Sequence, residues 1–128
     1  GMFKLINDLK INKEFYIGVA TNKSRIALNN GLKKHNLINI FDITLTMDEA
    51  KAKPDPDMAI QAMSMLNIEK KSTIIVGDTI NDIGLGVNAG INSIGVAWGY
   101  NSIEMLRNEG ADFIIKDSEE LFDTIINL

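Results

Sequence analysis

Apolar residues along this chain fall into two patterns. Short continuous runs occupy residues 15–20 (Phe-Tyr-Ile-Gly-Val-Ala), 43–46, 73–76, 93–97 and 113–115. Such runs, rich in β-branched residues and bounded by polar or turn-forming ones, predict buried strands. Between them, apolar positions recur at three- and four-residue spacing, which predicts amphipathic helices. The first helix covers 3–10, with Phe3, Ile6 and Leu9 on one face. The second starts at Ser24 as N-cap and runs to about Leu37. A third has Asp55 as cap, Pro56 in its first turn, and Ala59, Ala62, Met63 and Leu66 as its apolar face. A fourth covers 81–89 and stops at Gly90, where a C-terminal glycine is expected. A short helix at 102–109 follows. A last one is capped by Ser118, with Glu119 and Glu120 in its first turn and Leu121, Phe122, Ile125 and Leu128 on its apolar side.

Strand and helix alternate throughout. Continuous apolar strands joined by amphipathic helices define an α/β, doubly wound fold: a mostly parallel sheet with helices on both faces. No Pro/Gly/Ser-rich linker or internal repeat interrupts the pattern, so residues 2–128 are read as one domain. Gly1, ahead of Met2, is read as the scar of a removed tag. Ligands of such sheets lie beyond the carboxyl ends of the strands, and that is where chemistry is sought.

Composition narrows the classes. The chain has 128 residues, enough for a core of ordinary size without a disulfide or metal staple. It has no cysteine, which excludes disulfides and thiolate chemistry, so any site must use oxygen ligands or the single His35. A formal net charge of −4 argues against general binding to nucleic acid or to an anionic membrane. No apolar run is long enough to span a bilayer and no signal peptide is evident, so a cytoplasmic location is expected. His35 sits in the polar Lys33-Lys34-His35-Asn36 and is read as solvated. Trp98 and Tyr100, in a glycine-flanked loop, are read as packing residues, the six methionines as mostly core-facing, and Gly84 and Gly86 as points of close helix–sheet approach.

Three polar groups fall at strand ends. Thr21 follows the first strand. Lys53 lies in Lys53-Pro54-Asp55-Pro56, after the second. Asp78 and Asp82 follow the third, in Gly77-Asp78-Thr79-Ile80-Asn81-Asp82. Each has an ordinary explanation alone: a turn hydroxyl, a solvated lysine, a turn aspartate and a carboxylate favouring a helix dipole. In a parallel sheet, however, all share one rim. A hydroxyl donor, a cation and two carboxylates together suit a phosphoryl group and a hard divalent ion.

These motifs, in this order, resemble those of the haloacid dehalogenase (HAD) superfamily, most closely its phosphoglycolate-phosphatase and pyrophosphatase-like branch. Val19-Ala20-Thr21-Asn22-Lys23 is similar to the family's second motif, Lys53-Pro54-Asp55-Pro56 to the third, and Val76-Gly77-Asp78-Thr79-Ile80-Asn81-Asp82 to the fourth. Gly95-Val96-Ala97-Trp98-Gly99-Tyr100 and Gly110-Ala111-Asp112-Phe113-Ile114-Ile115 extend the likeness, which covers about residues 5–128. The resemblance implies hydrolysis of phosphate esters through an aspartyl-phosphate, with Mg²⁺ bridging nucleophile and phosphate and a small phosphorylated metabolite as substrate. It implies that Thr21 hydrogen-bonds a phosphoryl oxygen, that Asn22 presents its backbone N–H, and that Lys53 offsets the crowded negative charge. Asp78 would hold Mg²⁺ directly or through water, and Asp82 would assist through water or by orienting Lys53. These residue types suit a reaction governed by positioning and charge neutralisation.

One part of the family pattern has no counterpart. The first motif is a buried strand ending Asp-x-Asp, which carries the nucleophile, and residues 1–20 contain only Asp8, on a predicted helix. The helical cap that selects substrate is also missing. Covalent catalysis by these residues alone, and more than weak Mg²⁺ binding, are therefore not expected. In the family the absent strand lies between the strand at 15–20 and that at 73–76. The gap is expected to close by direct pairing, or to be filled through self-association or by a complementing N-terminal half. Three readings follow: a phosphatase core segment, one half of a split phosphatase, or a non-catalytic module binding a phosphate-bearing ligand or a protein.

Overall fold

A computed structural model of the chain describes residues 2–11 and 15–128; Gly1, residues 12–14 and the side chains of Met2 and Phe3 lie outside what is described. The elements run α1 (Met2–Ile11), β1 (Gly18–Ala20), α2 (Arg25–Lys34), β2 (Ile43–Leu45), α3 (Asp57–Leu66), β3 (Ile74–Gly77), α4 (Ile80–Ala89), β4 (Asn92–Val96), α5 (Ile103–Glu109), β5 (Phe113–Ile115) and α6 (Ser118–Ile126), with one 3-10 turn at Lys70–Ser72. Every strand pair is parallel.

The strands form two hydrogen-bonded sheets. One is β1–β2, with Gly18 opposite Ile43 and Ala20 opposite Leu45. The other is β3–β4–β5, with Ile74 opposite Asn92 and Ile94 opposite Phe113. Among the described residues no ladder joins β1 to β3, so the direct pairing envisaged from the sequence does not occur. Side chains span the interval instead. Leu5 and Leu9 of α1, Ile94 and Val96 of β4, Ile115 of β5, and Leu121 and Ile125 of α6 form one buried cluster, against which Ile17, Ile74 and Val76 pack. Leu45, Met58, Ala59, Met63, Leu85, Ala89 and Ile91 form a second, with Ala20, Ile43 and Ile75 against it. Ile74 and Val76 thus face one layer of helices and Ile75 the other, the alternation a strand covered on both faces requires.

Several local expectations shift. The run at 15–20 enters the ladder only at Gly18. Ile17 bonds to Asp42 instead: its N–H donates to the carboxylate at 2.8 Å and its carbonyl accepts the Asp42 N–H at 2.8 Å. Helix α3 begins at Asp57, although the Asp55 carboxylate does accept the Asp57 N–H at 3.0 Å. The cap of α6 is Asp117 rather than Ser118. Its carboxylate stands one residue earlier and accepts the Glu120 N–H at 2.8 Å, leaving Ser118 as the first helical residue. Of the methionines on helices, Met58 and Met63 are buried, whereas Met65 and Met105 are exposed, as is Met47 in a loop; the mostly core-facing reading does not hold. Trp98 and Tyr100 are 44% and 85% exposed, so neither is the packing residue expected. His35 is exposed and Gly84 and Gly86 are buried, as expected. A Cβ on Gly84 would sit 2.7 Å from the Pro54 ring, and one on Gly86 would sit 2.8 Å from Ile75 and 2.9 Å from Ser93.

Candidate functional site

The carboxyl ends of β1 and β3 and the loop after β2 meet at one rim, where Lys53 is the hub. Its ammonium donates to the Ala20 carbonyl at 2.8 Å and to Asp82 Oδ1 at 2.5 Å. Ala20 ends β1, and Asp82 lies in the first turn of α4 after β3. One ammonium therefore ties together the two sheets that no ladder joins. Both side chains are largely withdrawn from water, at 11% and 9% exposure. A pair held in such surroundings must have its remaining hydrogen-bonding capacity satisfied, and Asp82 meets that condition. Its Oδ2 accepts the Thr79 N–H at 3.1 Å and the Thr79 hydroxyl at 2.8 Å, while the Asp82 N–H donates back to Thr79 Oγ1 at 3.3 Å. Thr79 and Asp82 form a reciprocal capping box. Gly77 makes the arrangement possible, because a methyl group there would overlap the Asp82 side chain.

Lys53 is also held by its backbone. Its N–H donates to Asn22 Oδ1 at 2.8 Å, and its carbonyl accepts from Asn22 Nδ2 at 3.1 Å. The next carbonyl, of Pro54, accepts from Asn88 Nδ2 at 2.9 Å. Thr21, between Ala20 and Asn22, prolongs the β1–β2 ladder by donating its N–H to Leu45 at 3.0 Å. Its hydroxyl oxygen accepts the Lys23 N–H at 3.1 Å, which leaves the hydroxyl proton free to point elsewhere.

Asp78 stands apart from this group. It directly follows β3, but its Oδ2 accepts the Tyr100 N–H at 2.8 Å and its carbonyl accepts the Asn101 N–H at 3.0 Å. Gly99 is pressed against it, with no room for a Cβ. Among the described residues, no hydrogen bond or ion pair links Asp78 to Thr21, Lys53 or Asp82. The sequence-predicted residues thus divide: Asn22, Lys53 and Asp82 are joined directly, Thr21 is joined through its two neighbours, and Asp78, in the turn after β3, is hydrogen-bonded to the loop after β4.

A second polar network braces the loop that carries Lys53. Arg25, the first residue of α2, donates to the Thr44 hydroxyl at 2.7 Å and the Thr44 carbonyl at 2.8 Å, and pairs with Glu49. Glu49 also accepts the Thr46 N–H at 3.0 Å and hydroxyl at 2.8 Å. The Arg25 guanidinium, bonded to its oxygens, holds the Glu49 carboxyl below its ordinary value of 4.5, with the Thr46 bonds adding to the effect against a smaller opposing cost of burial. Sequence reading passed over Arg25, Glu49, Thr79 and the two flanking glycines. Only Thr79 carried a usable signal, the Thr-x-x-Asp spacing of a capping box.

What this set can do follows from what is unspent. Lys53 has three N–H bonds and uses two, so one remains for an incoming acceptor. Among the described residues, the Thr21 hydroxyl proton is likewise uncommitted. The carboxylates are less available. Both Asp82 oxygens are engaged and one of the Asp78 oxygens is, while no group of three metal-ligating side chains occurs among the described residues. Mg²⁺ demands six oxygens in near-octahedral array. The described residues do not by themselves fit a divalent ion.

Residues 1–96 match the family profile described as haloacid dehalogenase-like hydrolase. This chain belongs to that family. Among curated relatives, the pyrophosphatase PpaX of Bacillus velezensis is 31% identical over 121 residues, covering 94% of this chain and 56% of that protein. PpaX of Anoxybacillus flavithermus is 33% identical over 114 residues, covering 88% and 53%. Among solved structures, a protein named as a predicted phosphatase from Clostridium acetobutylicum superposes with a TM-score of 0.87 at 33% identity, over 100% of this chain and 59% of its own. A candidate phosphoglycolate phosphatase from Lactobacillus delbrueckii gives 0.84 at 28% identity, over 95% and 51%. The chain spans about half the length of the relatives it matches. No helix among the described residues is long and apolar enough to cross a membrane.

Proposed function

We propose that this chain carries the phosphate-binding and charge-neutralising side of a phosphate-monoester hydrolase site of the phosphoglycolate-phosphatase and pyrophosphatase type, acting on a small phosphorylated metabolite. The observation that carries this reading is Lys53: withdrawn from water, held at backbone and side chain, bonded to the carbonyl of Ala20, the residue before Thr21, and left with one unspent donor. In this account Lys53 neutralises charge accumulating on the phosphoryl oxygens, Thr21 donates to one of them, and the Asn22 backbone N–H lies close by. Asp82 sets the direction of the ammonium. Asp78 has one carboxylate oxygen uncommitted among the described residues; were a divalent ion such as Mg²⁺ held in the assembled site, that oxygen would be available to it, the other ligands would come from outside the described residues, and the ion would add charge neutralisation. The attacking carboxylate also comes from elsewhere, because no Asp-x-Asp sequence precedes β1. The interval between β1 and β3 is the natural place for the strand that bears it, either in a complementing N-terminal half or through association of chains.

The test is hydrolysis of an aryl phosphate by the chain alone and after mixing with a separately produced N-terminal half bearing an Asp-x-Asp strand. The expected result is no turnover alone and turnover on mixing, abolished by Lys53→Ala. Turnover by the chain alone that disappears in Asp78→Asn would show the nucleophile to be present after all. A second reading, a non-catalytic module binding a phosphate-bearing ligand or a protein, is favoured by one observation: both Asp82 oxygens are already engaged, which leaves a satisfied anion site rather than an open metal site. Saturable phosphate binding with no hydrolysis after mixing would select it.

A further inference from the structure

We infer that Asn22 is a positioning residue for Lys53, acting through its side-chain amide, and that this latch makes the ammonium available to phosphate. The inference rests on the phosphate-site reading of Lys53 given above and assigns Asn22 a different task from presenting its N–H.

The geometry is specific. A primary amide has one acceptor and two donors. Asn22 spends its acceptor on the Lys53 N–H and a donor on the Lys53 carbonyl, at 2.8 and 3.1 Å. Both polar groups of one peptide residue are thus met by one side chain, as a neighbouring strand would meet them. The two residues are far apart in sequence and lie in different loops, so the bond is tertiary, not a turn motif. Lys53 has no helix or strand to hold it, since its loop lies between β2 and α3. A second side-chain amide, that of Asn88 on α4, donates to the Pro54 carbonyl of this dipeptide. Asn22 therefore fixes where the Lys53 Cα sits relative to the end of β1. From that point the side chain reaches both Ala20 and Asp82. A lysine stem has four rotatable bonds, and fixing its root removes much of the conformational freedom that opposes such a reach. Asn carries its acceptor and its donors on two separate atoms of a short planar group: Asp lacks the donor, Leu lacks both, Gln is longer by one methylene, and Ser and Thr have donor and acceptor on a single oxygen.

Two measurements test the latch. The first needs no ligand: amide hydrogen exchange at Lys53, by NMR, in the wild-type chain and in Asn22→Ala. The Lys53 N–H is expected to lose its protection in the variant while the amides of β3 and β4 keep theirs. Unchanged exchange at Lys53 would overturn the inference. The second is a titration with inorganic phosphate, followed by NMR, of wild type, Asn22→Ala, Lys53→Ala and the double variant. Asn22→Ala is expected to weaken phosphate binding roughly tenfold, as loss of one to two net hydrogen bonds implies. The double variant is expected to bind no more weakly than Lys53→Ala alone, because Asn22 acts only through Lys53. Losses that add, or an Asn22→Ala chain that binds phosphate as wild type does, would contradict it. Phosphate binding unaffected by Lys53→Ala would instead sink the phosphate-site reading, and exchange at Lys53 would still decide whether the latch exists.

Discussion

Ser93 is buried on β4 with its hydroxyl oxygen lacking a hydrogen-bond partner among the described residues. Its backbone is well used, donating to Asp112 and accepting from it, so the side chain alone carries the desolvation penalty. Ser93→Ala is expected to be neutral or to stabilise by about 1 kcal/mol, measured by urea denaturation; a loss of that size would mean the hydroxyl is satisfied. Gly77 is the converse case. Any Cβ there collides with Asp82. Gly77→Ala is expected to destabilise the fold by about 1–3 kcal/mol, because two backbone segments and not a flexible tip must give way. Glu49 supplies a pH dependence. Its folded-state carboxyl titrates below the ordinary 4.5, so its contribution is complete above that value and is lost as pH falls through the lowered one. In an acid-unfolding series, Glu49→Gln should remove stability at neutral pH and flatten the acid limb between those values. An acid limb identical to wild type would show that Arg25 does not depend on this carboxylate.

At the scale of elements, α3 and α4 carry the cover over the rim. Met58 is fully buried in the cluster beneath β2 and β3. Met58→Ala is expected to cost about 2–5 kcal/mol, read as a lowered thermal midpoint. Thr79 caps α4 and holds Asp82 in place, so Thr79→Ala loses a cap, about 1 kcal/mol, and leaves Asp82 Oδ2 with only the backbone N–H of residue 79. Most of this layer was legible in the sequence. Strands β2 to β5, the helices between them and the glycine stop of α4 all follow from periodicity and turn residues. The errors are local competitions between equivalent partners: Asp117 takes the cap from Ser118, and Asp42 takes the backbone of Ile17 away from the ladder. The site was legible as a set of residue types at strand ends. What no spacing shows is who bonds to whom. The engagement of both Asp82 oxygens, the turn of Asp78 toward Tyr100, and the Asn22 latch depend on loops brought together from distant parts of the chain.

For the whole molecule, the informative feature is that two parallel sheets share two hydrophobic clusters without sharing a ladder. Buried apolar side chains hold the layers together, and the Lys53 ammonium is a polar tie across the interval at its rim. Unpaired strand edges are places where another strand can add. Exposed Trp98 and Tyr100, on the loop that bonds Asp78, lie outside the two buried clusters. The chain belongs to the haloacid dehalogenase-like hydrolase family and spans about half the length of the relatives it matches.

The central claim is that Lys53 and Thr21 face one small anion. A crystal structure of the chain soaked in tungstate, a heavy analogue of phosphate, tests it most directly. The account predicts tungstate within hydrogen-bonding distance of both Lys53 Nζ and Thr21 Oγ1, with the Lys53–Asp82 pair intact. Tungstate bound only elsewhere, with the Lys53 ammonium turned away from Thr21, would contradict it.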